Sequence, residues 1–225
     1  MQETYPECLR RVGLMGGTFD PVHYGHLLAA EEARDRYSLD LIVFVPNGVP
    51  PHKKGYPISD AEHRYNMCVL ATASNPWFIV SREEIDRPGP SYSIDTIRAF
   101  RRQIGPDVQL FFITGADAVL QLLTWRCPDA IIQESQVVAV HRPGFDLRRL
   151  AEALGEERAR RIIPLEAPGV EISSTDIRQR VAQGRSIRYL VPESVEAYIR
   201  KMRLYVSPLE ACSLAQGETG DGKQA

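Results

Sequence analysis

Short runs of apolar and β-branched residues recur along this chain, each separated from the next by a segment that can form a helix, and that alternation leaves few folds open. Residues 11–15, 41–45, 77–80, 109–114, 137–140 and 161–165 read as strands. The run at 41–45 is continuously apolar and that at 109–114 nearly so, as strands covered on both faces tend to be. Residues 26–37, 59–73, 94–103, 115–123 and 147–154 read as the intervening helices, and 175–183 and 193–205 follow the last strand. Ser59 with Glu62 suits a capping box, Pro192 suits the first position of the last helix, and Trp77 reads as core. The expected fold class is therefore α/β: a Rossmann-like, doubly wound parallel sheet with a small helical C-terminal part at about 175–206. Ligands of such sheets bind beyond the carboxyl ends of the strands.

With 225 residues, 44% of them hydrophobic, one domain over 11–206 can bury a core without metal or disulfide staples. Residues 1–10 read as an N-terminal extension, and 207–225, which carry no apolar periodicity, as a disordered tail. A net charge of −2 argues against a generally basic nucleic-acid binder. Cysteines at 8, 68, 127 and 212 are too scattered for a compact metal finger or a redox pair, and no protein-held metal is expected. The first residues do not resemble a secretion signal, and no 18-residue apolar run occurs. These features predict a soluble cytoplasmic protein without nucleic-acid or membrane partners.

After the first strand comes Gly16-Gly17-Thr18-Phe19-Asp20-Pro21-Val22-His23-Tyr24-Gly25-His26. Paired glycines behind a strand let backbone amides approach a phosphate closely. Neither the dinucleotide fingerprint nor a P-loop is present. His23 and His26, three apart at a helix start, can both donate to phosphoryl oxygens at the positive end of the helix dipole. A histidine pair by itself also fits a surface feature or half of a metal site. With the strand, turn and helix around it, the segment resembles the Gly-x-Phe-Asp-Pro-x-His-x-Gly-His signature of the nucleotidyltransferases related in fold to class I aminoacyl-tRNA synthetases. In this form it is most similar to the bacterial nicotinate-nucleotide adenylyltransferases.

Glu171-Ile172-Ser173-Ser174-Thr175-Asp176-Ile177-Arg178 opens the helix after the last strand. Ser173 and Asp176 suit a capping box, while the hydroxyls and Arg178 equally suit a polyphosphate clamp. Ile-Ser-Ser-Thr-x-Ile-Arg is also the second signature of the same family. The resemblance, which runs from about 12 to 205, implies that Ser174, Thr175 and Arg178 hold the β- and γ-phosphates of ATP. Gly16, Gly17, Thr18 and Phe19 with His23 and His26 then form the rest of the ATP site, and His23, His26 and Arg178 form the catalytic set.

For the acceptor, Pro50-Pro51-His52-Lys53 is either a basic patch for a mononucleotide phosphate, with Lys53 its cation, or a solvated loop. Ser91-Tyr92-Ser93-Ile94-Asp95-Thr96 resembles the family's Ser-Tyr-Thr-x-Asp-Thr segment, which implies that Ser93 reads the pyridine carboxylate. Free amides at a helix start favour that anion over an amide. Asp117, beside Gly115, suits either a ribose contact or a helix cap. Trp125 resembles the tryptophan that stacks on the pyridine ring, and Arg142, in His141-Arg142-Pro143-Gly144, is counted with the mononucleotide set although that segment resembles one lining the adenosine end.

No carboxylate pair or Ser-His-Asp arrangement stands out. The resemblance therefore implies a direct reaction in which the phosphate of nicotinate mononucleotide attacks the α-phosphorus of ATP. Deamido-NAD forms and pyrophosphate leaves, with Mg²⁺ brought in on ATP. The alternatives are an enzyme preferring nicotinamide mononucleotide, one using another acceptor such as phosphopantetheine, and a nucleotide-binding regulator without catalysis. Relatives imply a homodimer or higher homo-oligomer.

Overall fold

Alternating apolar runs and helices assemble into one six-stranded sheet whose strands are all parallel. The computed structural model describes residues 9–51 and 58–206. The expected extension (1–10, save its last two residues), the tail (207–225) and Lys53 therefore lie outside the described residues. In chain order the first elements are β1 (Arg11–Gly17), α1 (Tyr24–Tyr37), β2 (Leu41–Pro46), α2 (Ala61–Thr72), β3 (Phe78–Val80), α3 (Glu83–Asp86) and α4 (Ser93–Ile104). They continue with β4 (Gln109–Gly115), α5 (Ala116–Val119), a 3₁₀ turn (Leu122–Thr124), α6 (Pro128–Glu134) and β5 (Gln136–His141). Last come α7 (Arg148–Leu154), α8 (Glu156–Ala159), β6 (Ile163–Glu166), α9 (Ser174–Ala182) and α10 (Glu193–Lys201).

The strand order is β3-β2-β1-β4-β5-β6, so the winding reverses between β1 and β4 and opens a crevice at their carboxyl ends. Alternation along β1 divides the core. Val12 and Leu14 join a cluster with Phe100, Phe112 and Ile131, under α4 and α6. Met15, on the other face, joins Met67, Ile177, Val195 and Ile199, under α2, α9 and α10. Both faces are thus dry, which is why the strands read as apolar runs rather than as alternating ones. No helix among the described residues is long and apolar enough to cross a membrane.

Several boundaries differ from the sequence reading for local reasons. Asp60, not Ser59, caps α2, accepting from the Glu62 amide at 2.8 Å, while the Ser59 amide donates to Asp20 at 3.3 Å. Pro192 is the cap residue of α10 rather than its first helical residue. That helix stops at Lys201 because Arg203 and Tyr205 adopt left-handed backbone, with φ of 51° and 65°. The helix expected over 115–123 splits into α5 and the 3₁₀ turn, and α6 restarts at Pro128 after left-handed Cys127. β6 begins at Ile163 because the amides of Arg161 and Ile162 are committed to a turn with Arg158 and Ala159. Trp77 is not core: it is 44% exposed, with the Arg34 guanidinium 3.6 Å from its ring centre.

Candidate active site

The crevice begins where β1 ends. Gly16 and Gly17 pair with Val45 and Pro46 of β2, and the Asn47 amide extends the ladder by donating to the Gly17 carbonyl at 2.9 Å. A side chain at Gly17 would come within 2.9 Å of the Phe19 ring, so this glycine is required by close approach. Phe19 is buried, with φ of 50°, and its ring packs edge-on against His26 at 5.0 Å between centres. It supports the loop from behind rather than facing either cavity.

His23 caps α1 from extended backbone, and its amide donates to His26 Nδ1 at 3.3 Å. The two imidazoles stack with centres 3.8 Å apart and planes 27° from parallel. Gly25 makes room for this, since a Cβ there would lie 3.0 Å from His23 Nδ1. His23 is only 6% exposed, and its side chain turns back towards the His26 amide in a capping arrangement whose geometry is too loose for a full hydrogen bond at Nδ1. Burial, with the nearby Arg142 charge, lowers its pKa to about 4. At neutral pH the ring is therefore uncharged and offers one N–H donor.

The second motif is fastened onto the first across the fold. Ser174 Oγ donates to the Pro21 carbonyl at 2.9 Å, and Arg178 Nη1 donates to the Asp20 carbonyl at 2.7 Å. Arg178 Nη2 also donates to Thr175 Oγ1 at 3.3 Å. Ser173 Oγ accepts from the Asp176 amide at 3.1 Å, so the capping reading of this cluster holds as well. The cap leaves Ser174, Thr175 and Arg178 for the loop and for a ligand.

Two cavities meet at this point, of about 290 and about 200 Å³. Gly16 and Thr114, at the ends of β1 and β4, line both. The larger is walled by His23, His26, His141, Arg142 and Pro168. Gly17, Thr18, Glu84, Ser91, Ser93 and Trp125 wall the smaller. Ser93 opens α4, and Trp125 stands edge-on to Phe112 with centres 6.2 Å apart. Gly115 and Arg142, expected beside Ser93 and Trp125, line the histidine cavity instead, because they end or follow strands on the β4–β5 side of the switch. Asp117 is exposed in the first turn of α5 and lines neither cavity.

The sequence reading overlooked the buried polar residues beneath these cavities. Asp20 accepts from the Tyr205 hydroxyl at 2.7 Å as well as from the Ser59 amide. Arg64, 1% exposed, donates to the carbonyls of Ser59, Thr18 and Gly48 at 3.0, 2.9 and 3.2 Å. Among the described residues no group of three or more His, Cys, Asp or Glu is placed to hold a metal. Asp20, the carboxylate nearest the histidines in sequence, is engaged with Tyr205 and Ser59.

The chain matches the cytidylyltransferase-like family over residues 14–180. A protein of Moorella thermoacetica described as "probable nicotinate-nucleotide adenylyltransferase" is 58% identical over 198 residues, 87% of this chain and 91% of its own length. One from Thermus thermophilus with the same description is 50% identical over 195 residues, covering 87% of this chain and 99% of that protein. The structure of Plasmodium falciparum nicotinic acid mononucleotide adenylyltransferase complexed with NaAD matches with a TM-score of 0.65 at 18% identity, over 87% of this chain and 97% of that one. That likeness establishes the shared fold.

Proposed function

The chain belongs to the nicotinate-nucleotide adenylyltransferases within the cytidylyltransferase-like family, and from that premise we propose how its two cavities divide the reaction. The enzyme transfers AMP from ATP to nicotinate mononucleotide, giving nicotinate adenine dinucleotide and pyrophosphate, a step of NAD biosynthesis. The observation that supports the division is the common wall at Gly16 and Thr114, with the histidine pair on one side and Trp125 with Ser93 on the other.

ATP occupies the histidine cavity, with its α-phosphate against the amides of Gly16 and Gly17. His23 Nδ1 faces the start of α1, which leaves Nε2 as the ring nitrogen for a phosphoryl oxygen. His23 and His26 donate to oxygens on which charge builds at the α-phosphorus, and Thr175 and Arg178 hold the departing pyrophosphate. Ser174 Oγ and Arg178 Nη1 are committed to the Pro21 and Asp20 carbonyls, so these bonds fix the loop while the remaining Arg178 donors and Thr175 are left for the pyrophosphate. The mononucleotide lies in the smaller cavity, its ring on Trp125 and its carboxylate at the start of α4, where Ser93 and backbone amides favour an anion.

The acceptor phosphate forms a bond to the α-phosphorus as the bond to the β-phosphate oxygen breaks. A phosphate monoester is nucleophilic without a general base, so the protein's part is alignment and charge stabilisation. Among the described residues no carboxylate cage is placed to hold a resident metal. Mg²⁺ brought in on ATP would supply charge neutralisation at the phosphates, which with water would be its main ligands.

The test is pyrophosphate release from Mg-ATP with nicotinate mononucleotide, nicotinamide mononucleotide and phosphopantetheine offered in parallel. The first should exceed the second in kcat/KM by at least about tenfold, or roughly 1.4 kcal/mol. Equal rates would remove the carboxylate argument. Turnover with phosphopantetheine alone would overturn the acceptor, and tight ATP binding without release would mark a regulator rather than an enzyme.

A further inference from the structure

Glu84 is a carboxylate at the wall of the acceptor cavity, 3% exposed, on the short helix α3. Both of its oxygens are occupied. Oε1 accepts from the Thr96 hydroxyl at 2.5 Å, and Oε2 accepts from Asn47 Nδ2 at 2.6 Å. Thr96 lies in α4, whose first residue is Ser93, and Asn47 directly follows β2. Arg87 Nη2 donates to Thr96 Oγ1 at 2.9 Å and stands 4.0 Å from Glu84, balancing its charge. The same loop is gripped again by Ser91, whose Oγ accepts from the amides of Gly48 and Val49 at 3.0 and 3.2 Å. Contact is so close that a Cβ on Gly48 would lie 2.1 Å from the Glu84 carbonyl oxygen.

One side chain thus ties together the two walls of the acceptor cavity, the loop after β2 and the start of α4. The histidine cavity has no residue in this network. Resting on the acceptor assignment made above, we propose that Glu84 is a positioning residue for the acceptor half of the site: it sets the separation between the 47–49 loop and α4 through Asn47 and Thr96. Its influence should fall on the mononucleotide and spare ATP.

Glu84→Gln tests this with little change of volume. The glutamine oxygen can serve only Asn47 or Thr96, and its NH₂ would have to be accepted by a Thr96 hydroxyl that already accepts from Arg87, so the charged tie between the two walls is weakened. Steady-state kinetics should show the KM for nicotinate mononucleotide raised at least tenfold, with the KM for ATP and kcat within threefold of wild type. Asn47→Ala and Thr96→Val should each reproduce that split. Combined with Glu84→Gln, each should add less than its single effect, because all three break the same tie. If Glu84→Gln does not fold, the Asn47 and Thr96 variants decide by the same split. Unchanged KM values, equal rises for both substrates, or a fall in kcat alone would overturn the inference. Failure of the wild type to use nicotinate mononucleotide would instead overturn the acceptor assignment, so the two failures are distinguishable.

Discussion

Acid should weaken this fold through His23, by an amount that its burial fixes. The imidazole pKa lies at about 4 in the folded protein, against 6.5 for an unperturbed histidine. Between those two pH values the unfolded chain binds a proton at this position that the folded chain refuses. Stability contributed by the neutral ring is therefore complete above pH 6.5 and lost as pH falls towards 4. The slope is about 1.4 kcal/mol per pH unit, and the whole loss is about 3 kcal/mol. Carboxylates add their own acid dependence, so the informative quantity is a difference. Urea unfolding of wild type and His23→Gln at pH 7.5, 6.5, 5.5 and 4.5 provides it, because glutamine does not titrate. The gap between the two proteins should shift by about 2.5 kcal/mol in favour of the variant from pH 7.5 to 4.5, whatever its offset at neutral pH. Parallel stability curves would show that His23 titrates normally in the folded state, and the description of a neutral, single-donor imidazole would be wrong.

Arg64→Met should destabilise the protein by roughly 3 kcal/mol or more, since three buried carbonyls lose their donor, and an unchanged urea midpoint would contradict that. Trp125→Ala should raise the KM for the mononucleotide by about tenfold or more, a ring stack being worth roughly 1–3 kcal/mol. Trp125→Phe should recover much of the loss, and equal behaviour of the two variants would place the pyridine ring elsewhere.

The glycine loop and the histidines were legible because their chemistry is local: a strand end, a tight turn and a helix start are each written in consecutive residues. The second motif is legible as a helix start carrying hydroxyls and an arginine, but its partners are not. Arg178 reaches Asp20 and Ser174 reaches Pro21 over more than 150 positions. Arg64 and Glu84 were hidden for a related reason. Arg64 lies in a charged helix and Glu84 in a charged stretch between expected elements; only the meeting of distant loops at Arg64, and of the 47–49 loop with α4 at Glu84, turns them inward. Arg142, expected beside Ser93 and Trp125, follows β5 and so lines the histidine cavity. Short helices such as α6 and α8 were missed because seven or four residues are too few to display a period.

The bond from Tyr205 to Asp20 carries a consequence for how the protein is made. A ribosome emits the glycine loop near the start of synthesis and Tyr205 some 185 residues later. Until α9, α10 and the left-handed turn after them have emerged, Asp20 has neither Arg178 on its carbonyl nor Tyr205 on its carboxylate. The nascent chain can build its strands in order, yet the glycine loop acquires these bonds only after all six strands have been made. Chains released early would carry both histidines on a loop that lacks both of these bonds.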